Sequence, residues 1–235
     1  MKRLAGCIAV IAVGLFAAAS YAATDVTRFQ SDLQTKKPHK ATSLKVGLTF
    51  ADPADPSAPP DSLDHFTIAL HDGTILDPQG SPTCSASDSE LAAQAGNACP
   101  DTTQIGHGTA HAENDAGVEA NADVTIDQLR DLRWMLTVYL AGTNLVVDHF
   151  FLTPNNHALV SGTMNVIAGG FHTQRVDLTF GPSTYQGHHL VTTPPRCPRR
   201  GYWSTRSSFT FKDGHTVLKR DRTPCRPSHR KRHRG

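Results

Sequence analysis

At 235 residues, with 23 Lys plus Arg against 21 Asp plus Glu, the chain is long enough for one domain with a real core and is nearly neutral as a whole. Five cysteines without a Cys-x-x-Cys pair argue against a structural zinc module, and the scarcity of helical periodicity argues against a helical architecture.

The first segment reads as a secretory signal. Met1-Lys2-Arg3 is positive, Leu4 to Ala19 is apolar or small, and Ser20-Tyr21-Ala22 places small residues before a cut after Ala22. A retained anchor is the rival, since about 18–20 apolar residues span a bilayer. The Ala- and Gly-rich composition and the absence of stop-transfer charges favour cleavage of residues 1–22. Leu4-Ala5-Gly6-Cys7 spells a lipobox, but the greasy run follows Cys7 instead of preceding it, so Cys7 leaves with the signal and four cysteines remain. Lys2 and Arg3 leave too, so the mature chain carries 21 basic and 21 acidic residues. From Lys219 onward there are eight basic residues and one acidic residue, Asp221, which leaves 13 basic and 20 acidic residues for Ala23 to Leu218. An acidic body carries a basic tail.

Alternation then dominates. Leu44, Val46, Leu48 and Phe50 follow the two-residue period of a half-buried strand, as do Phe66, Ile68 and Leu70, then Val124 and Ile126. Leu132, Trp134, Leu136, Val138 and Leu140 repeat it, and so do Trp203, Thr205, Ser207, Phe209 and Phe211. Turn formers stand between: Asp52-Pro53-Ala54-Asp55-Pro56, His71-Asp72-Gly73, Ala168-Gly169-Gly170 and Gly181-Pro182-Ser183. The spacing predicts an all-β, two-sheet antiparallel sandwich of roughly 9–11 strands over residues 23–225. One short helix is predicted near 87–95: Ser87-Asp88-Ser89-Glu90 has the form of a capping box, and Gly96 can take the left-handed conformation that ends it.

Four cysteines allow three pairings. Locality favours Cys84 with Cys99 around this helix, and Cys197 with Cys225 at the base of a hairpin whose turn contains Asp213-Gly214. Each loop restrains the unfolded chain by about 3–4 kcal/mol. The run Gly73-Thr74, Pro82-Thr83-Cys84, Ala98-Cys99-Pro100 and Ile105-Gly106-His107-Gly108-Thr109-Ala110 resembles uncharacterised secreted proteins of high-GC actinobacteria. Lys36-Lys37-Pro38 and the closing stretch Cys197-Pro198, Gly201-Tyr202-Trp203, Asp213-Gly214 and Pro224-Cys225 extend the resemblance over most of the mature domain. It implies export and a β-fold, and no activity.

Catalytic fragments do not assemble in the sequence. Gly106-His107-Gly108-Thr109 echoes a subtilisin-like His segment and Ser161-Gly162-Thr163-Met164 a Ser segment in the wrong order, without the helices that position such a triad. His107 and His111 would share a strand face about 13 Å apart, too far for one ion. His188-His189 point to opposite faces when extended, and Asp148-His149 beside Phe150-Phe151 suggests a buried sheet position. No catalytic, cofactor or metal residue is assigned.

The tail, residues 226–235, is the functional lead. Arg226, Arg230, Lys231, Arg232 and Arg234 carry five positive charges with no acid among them, and the segment has nothing apolar to bury, so disorder is expected. The expected partners are an anionic cell-wall polymer or membrane surface, each basic residue contributing about 1 kcal/mol at moderate salt. Specific nucleic-acid recognition is not expected, because aromatic interleaving is absent, and no transmembrane segment is expected after signal removal. The expectation is therefore an exported, non-enzymatic protein, secreted and associated with the cell surface. A saccharide-binding or small-ligand module and an enzyme with a dispersed site are the alternatives.

Overall fold

Wherever the sequence alternates, a strand forms. The computed structural model describes residues 25–53, 60, 62–114, 116–162 and 171–226, so the expected signal segment, the tail beyond Arg226 and the turn signal at 168–170 lie outside the described residues. The elements are β1 (Asp25–Leu33), β2 (Leu44–Ala51), β3 (Leu63–Ala69), β4 (Ile75–Leu76), α1 (Asp88–Gln94), β5 (Gln104–Asn114), β6 (Glu119–Gln128) and β7 (Trp134–Leu140). They continue with β8 (Val146–Asn155), β9 (Ala158–Ser161), β10 (Phe171–Phe180), β11 (Thr184–Tyr185), β12 (His188–His189), β13 (Val191–Thr192), β14 (Tyr202–Phe211) and β15 (Thr216–Pro224).

Eleven strands make one sheet in the order β1-β2-β10-β5-β6-β7-β8-β9-β3-β14-β15, and two short pairs, β11 with β12 and β4 with β13, lie outside it. The all-β class and the short helix hold; the two-sheet sandwich does not. A single sheet curls into a nearly closed barrel in which β1 meets β15. The reason no separate sheets form is that hydrogen-bonded pairing never breaks between β1 and β15, since every neighbouring pair along that order is an antiparallel ladder.

Ring arithmetic then governs the closure. Ten antiparallel steps around eleven strands bring β15 beside β1 in parallel, so the regular antiparallel ladder cannot continue across the gap. The contacts rise together along both strands, as parallel neighbours must. Ser31 N–H donates to Asp221 Oδ2 (2.6 Å), Leu33 N–H donates to Thr223 Oγ1 (3.4 Å), and the Thr223 hydroxyl donates to Ser31 O (2.8 Å). Below these, Arg226 N–H donates to Lys36 O at 2.8 Å. Side chains of β15 thus satisfy the backbone edge of β1 that a strand would otherwise pair. This explains why the inward position Thr205 is polar between Trp203 and Phe209: its Oγ1 lies 3.2 Å from Ser31 Oγ at the seam, while the neighbouring inward Ser207 donates to Lys219 O at 3.4 Å.

Away from the seam the interior is apolar. Phe50 of β2 meets Phe209 and Phe211 of β14 edge to face at 6.4 and 6.2 Å, and Trp134 of β7 reaches Phe180 of β10 at 5.4 Å. Each such side chain stabilises the fold by about 1.5–3 kcal/mol through burial. Gly106 and Gly108 of β5 let β10 approach closely, because a Cβ there would lie 2.4 Å from Thr179 O and 2.2 Å from Asp177 O. The echo of a protease His segment is thus a packing requirement. Ser161 is likewise structural, its Oγ accepting from Phe66 N–H at 2.8 Å.

Ser87 and Glu90 form the reciprocal capping box of α1. Its end differs from expectation: Ala95 adopts the positive φ of 46°, and Gly96 is instead needed for contact, since a Cβ there would meet Tyr139 Oη at 2.4 Å. Leu132 falls outside β7 in the turn from β6, at φ 67° and 49% exposed. The β14–β15 turn has three residues, because Phe211 N–H donates to His215 O, and Gly214, at φ 89°, donates its N–H back to Phe211 O.

Thr223→Val keeps the volume and removes both seam bonds, leaving a buried amide and a carbonyl unpaired at about 1–3 kcal/mol each. The expected outcome is a loss of about 2–4 kcal/mol in urea unfolding, with faster amide exchange at Leu33. Unchanged stability and exchange would show that the seam is not held by this hydroxyl.

Candidate polyanion-binding face

The inward parity of β14 and β15 dictates what their outer face carries. With Trp203, Thr205, Phe209 and Thr223 buried, Arg206 points outward, and so do Arg220 and Arg222. Arg206 and Arg220 are direct cross-strand partners. Opposed residues in an antiparallel pair have Cα atoms about 4.5–5.5 Å apart, and Arg220 and Arg222 are separated by about 7 Å along one face. Like charges so placed repel. Among the described residues none of the three has a carboxylate partner, and Arg222 lies over the Tyr202 ring at 4.7 Å. The nearby lysines differ: Lys36 pairs with Asp32, Lys212 with Asp64 at 2.8 Å, and Lys219, turned inward, with Asp25 at 2.8 Å.

The second disulfide adds to this face. Cys197 and Cys225 are bonded, with Cα atoms 5.7 Å apart. The bond holds the loop bearing exposed Arg196, Arg199 and Arg200 against the end of β15, where exposed Arg226 begins the tail. Trp203 Nε1–H donates to Arg196 O at 2.8 Å, which ties that loop to a fully buried indole. Of the tail residues expected to bind polyanions, Arg226 lies on this face, while Arg230, Lys231, Arg232 and Arg234 lie outside the described residues.

A groove of about 530 Å³ runs along the seam, with Arg28 and Gln30 of β1 on one side and Arg222 and Pro224 of β15 on the other. Arg28 Nη2 donates to the neutral Gln30 Oε1 at 2.6 Å. The groove's two carboxylates are committed within the fold, Asp32 to Lys36 and Asp221 to Ser31 N–H. Its rims present the Arg28 and Arg222 guanidinium groups, while Asp221, bonded to a neutral amide, keeps its negative charge at the groove wall.

On the opposite side of the barrel, the other disulfide, Cys84–Cys99 with Cα atoms 5.2 Å apart, holds the helical insert over β6 and β7. A polar cleft of about 410 Å³ remains beneath it, lined by Asn97, Asp101, Asp123, Asp127, Tyr139 and Asn144 among others. Burial pushes the Asp127 carboxyl up to about 6, against the opposing effect of the Thr103 hydroxyl at 3.2 Å. That hydroxyl has one proton and lies closer to Pro100 O, at 2.7 Å, so its support for the carboxylate is divided.

The structure places the candidate histidines on β5, β8 and β12. His107 and His111 share the outer face of β5, and His111 Nδ1 lies 3.1 Å from Asn121 Oδ1. His188 Nδ1 contacts Asp77 Oδ2 and His189 Nδ1 contacts Thr184 Oγ1, at 2.9 and 2.8 Å. Asp148 faces inward opposite Val138, and burial raises its carboxyl; His149 meets it through the backbone N–H at 2.7 Å, while its ring packs on Phe151. Among the described residues no three His, Cys, Asp or Glu side chains gather as a metal site, and no helix is long and apolar enough to cross a membrane. Comparison with protein-family models, with curated proteins and with solved structures finds no match.

Asp127 yields a signed pH prediction. Its folded pKa of about 6 exceeds the 3.8 of the free side chain, so the folded state holds the extra proton between those values. The group opposes folding fully above pH 6, and the opposition fades as pH falls toward 4. Asp127→Asn is expected to gain about 1–3 kcal/mol in urea unfolding at neutral pH and nothing near pH 4. A gain that is equal at both pH values contradicts this account.

Proposed function

We propose that this is an exported, non-enzymatic β-barrel protein held at an anionic surface by the arginine face of its C-terminal hairpin, with the basic tail extending the same face. The observation that carries the reading is the facing pair Arg206 and Arg220, exposed and without carboxylate partners among the described residues. Such a pair opposes folding by about 0.2–1 kcal/mol, a penalty that a bound polyanion reverses. Arg28 and Arg222 on the rims of the seam groove, together with Arg196, Arg199, Arg200 and Arg226 beside the disulfide, widen the positive surface beyond the tail. Export is supported by the signal-like residues 1–22 and by two disulfides, which persist in oxidising compartments. The resemblance to secreted actinobacterial proteins agrees with it.

Salt elution of the full chain from the envelope fraction of expressing cells tests the reading. Arg220→Gln and truncation after Arg226 are each expected to lower the salt needed for release, Arg220→Gln weakening binding about fivefold. The same Arg220→Gln is expected to raise folding stability by about 0.2–1 kcal/mol, because it relieves the facing charge. Full-length protein found entirely in the medium at low salt overturns the reading, and so does release of Arg220→Gln at the parent's salt concentration.

A further inference from the structure

The anionic surface can be narrowed by chemical class. Resting on the polyanion reading above, we infer that the arginine face takes a phosphodiester-linked polymer without bases, of the polyol-phosphate kind. The first argument is the choice of cation. The outward charges on β14 and β15 are all arginines, whereas Lys36, Lys212 and Lys219 are held in ion pairs with Asp32, Asp64 and Asp25. An ammonium group satisfies any anion as a point charge; a guanidinium offers a planar fork of donors suited to paired oxygens.

The second argument is the number of forks in one place. Arg206, Arg220 and Arg222 form a triangle with edges set by one cross-strand step and one two-residue step. A carboxylate is planar and one bidentate arginine occupies its better acceptor directions. The two non-bridging oxygens of a phosphodiester project from a tetrahedral centre and are not confined to the single plane of a carboxylate, so forks can approach them from more directions. A phosphodiester also keeps its charge across the pH range in which carboxylate polymers lose theirs.

The third argument excludes the bases. Proteins that bind single-stranded nucleic acid supply aromatic faces for stacking. Tyr202 supplies a ring to this hairpin face, and Arg222 lies over it at 4.7 Å. The buried Trp203 indole points the other way, its Nε1–H committed to Arg196 O. The face is left with backbone-charge recognition alone. The seam groove between Arg28 and Arg222 gives such a chain a concave path along β15 toward Arg226 and the tail.

The test immobilises poly(glycerol phosphate), polygalacturonate of matched charge and poly(dT), and titrates the full chain against each at one ionic strength. The expected result is about tenfold tighter binding to poly(glycerol phosphate) than to polygalacturonate, with poly(dT) no tighter than poly(glycerol phosphate). The triple variant R206K/R220K/R222K keeps the charge and removes the forks. It is expected to hold polygalacturonate as the parent does while losing the phosphodiester preference, with an unchanged melting temperature as the fold control. Equal affinity for the two base-free polymers, or a preference retained by the lysine variant, overturns the phosphodiester inference and leaves the polyanion reading standing. Tighter binding to poly(dT) overturns the base-free part. Failure to bind any of the three at low salt overturns the polyanion reading itself.

Discussion

The structure depends on how an odd-stranded sheet closes. Eleven strands joined by antiparallel ladders must meet in parallel, and the meeting of β1 with β15 is the one junction without its own ladder. An open edge of this kind invites pairing with another chain. Here Asp221 and Thr223 reach across to Ser31 and Leu33, so side chains close what backbone geometry leaves open. The polar residues that do this sit on inward positions of β14 and β15, and the aromatic residues of the core are displaced to either side of them.

The two disulfides follow from the same architecture. Strand directions place the ends of β1, β6 and β15 at one end of the barrel, and both bonds lie there. Cys197–Cys225 closes the foot of the last hairpin just where the seam ends in the bond from Arg226 N–H to Lys36 O. Cys84–Cys99 fixes the insert whose Gly96 N–H donates to Thr137 Oγ1 on β7, at 3.0 Å. Covalent bracing is thus concentrated where long connections leave and re-enter the barrel, and where loop-closure entropy is largest.

Strand identity was legible because burial imposes a two-residue period, and Leu44 to Phe50 and Trp203 to Phe211 obey it residue by residue. Both cysteine pairs were legible because each is local. The closure was not, since a sandwich and a barrel bury the same alternating faces and differ only in which strands are neighbours across the longest gaps. The clue lay in Thr205, Asp221 and Thr223, polar residues at inward positions, whose meaning depends on a partner 174 to 192 positions away at Ser31. Most of the arginine face is not legible in the sequence for a related reason. Along the sequence Arg220 and Arg222 merge with the charge of the tail, and only the parity against buried Thr223 puts them on one face, as only the register opposes Arg206 to Arg220.

That parity also links stability to the proposed function. On β15 the inward members of the alternation hold the seam, so Asp221 and Thr223 are constrained by the fold. The outward members, Arg220 and Arg222, are free of that duty and could be any strand-compatible residues as far as closure is concerned. A neutral or acidic residue at position 220 would remove the repulsion with Arg206 at no loss of packing, since both side chains are exposed. The sequence instead sets arginine against arginine on the very strand that completes the barrel. Folding alone does not ask for that arrangement, and under the proposed function an anion bridging the two guanidinium groups would turn the repulsion into binding affinity.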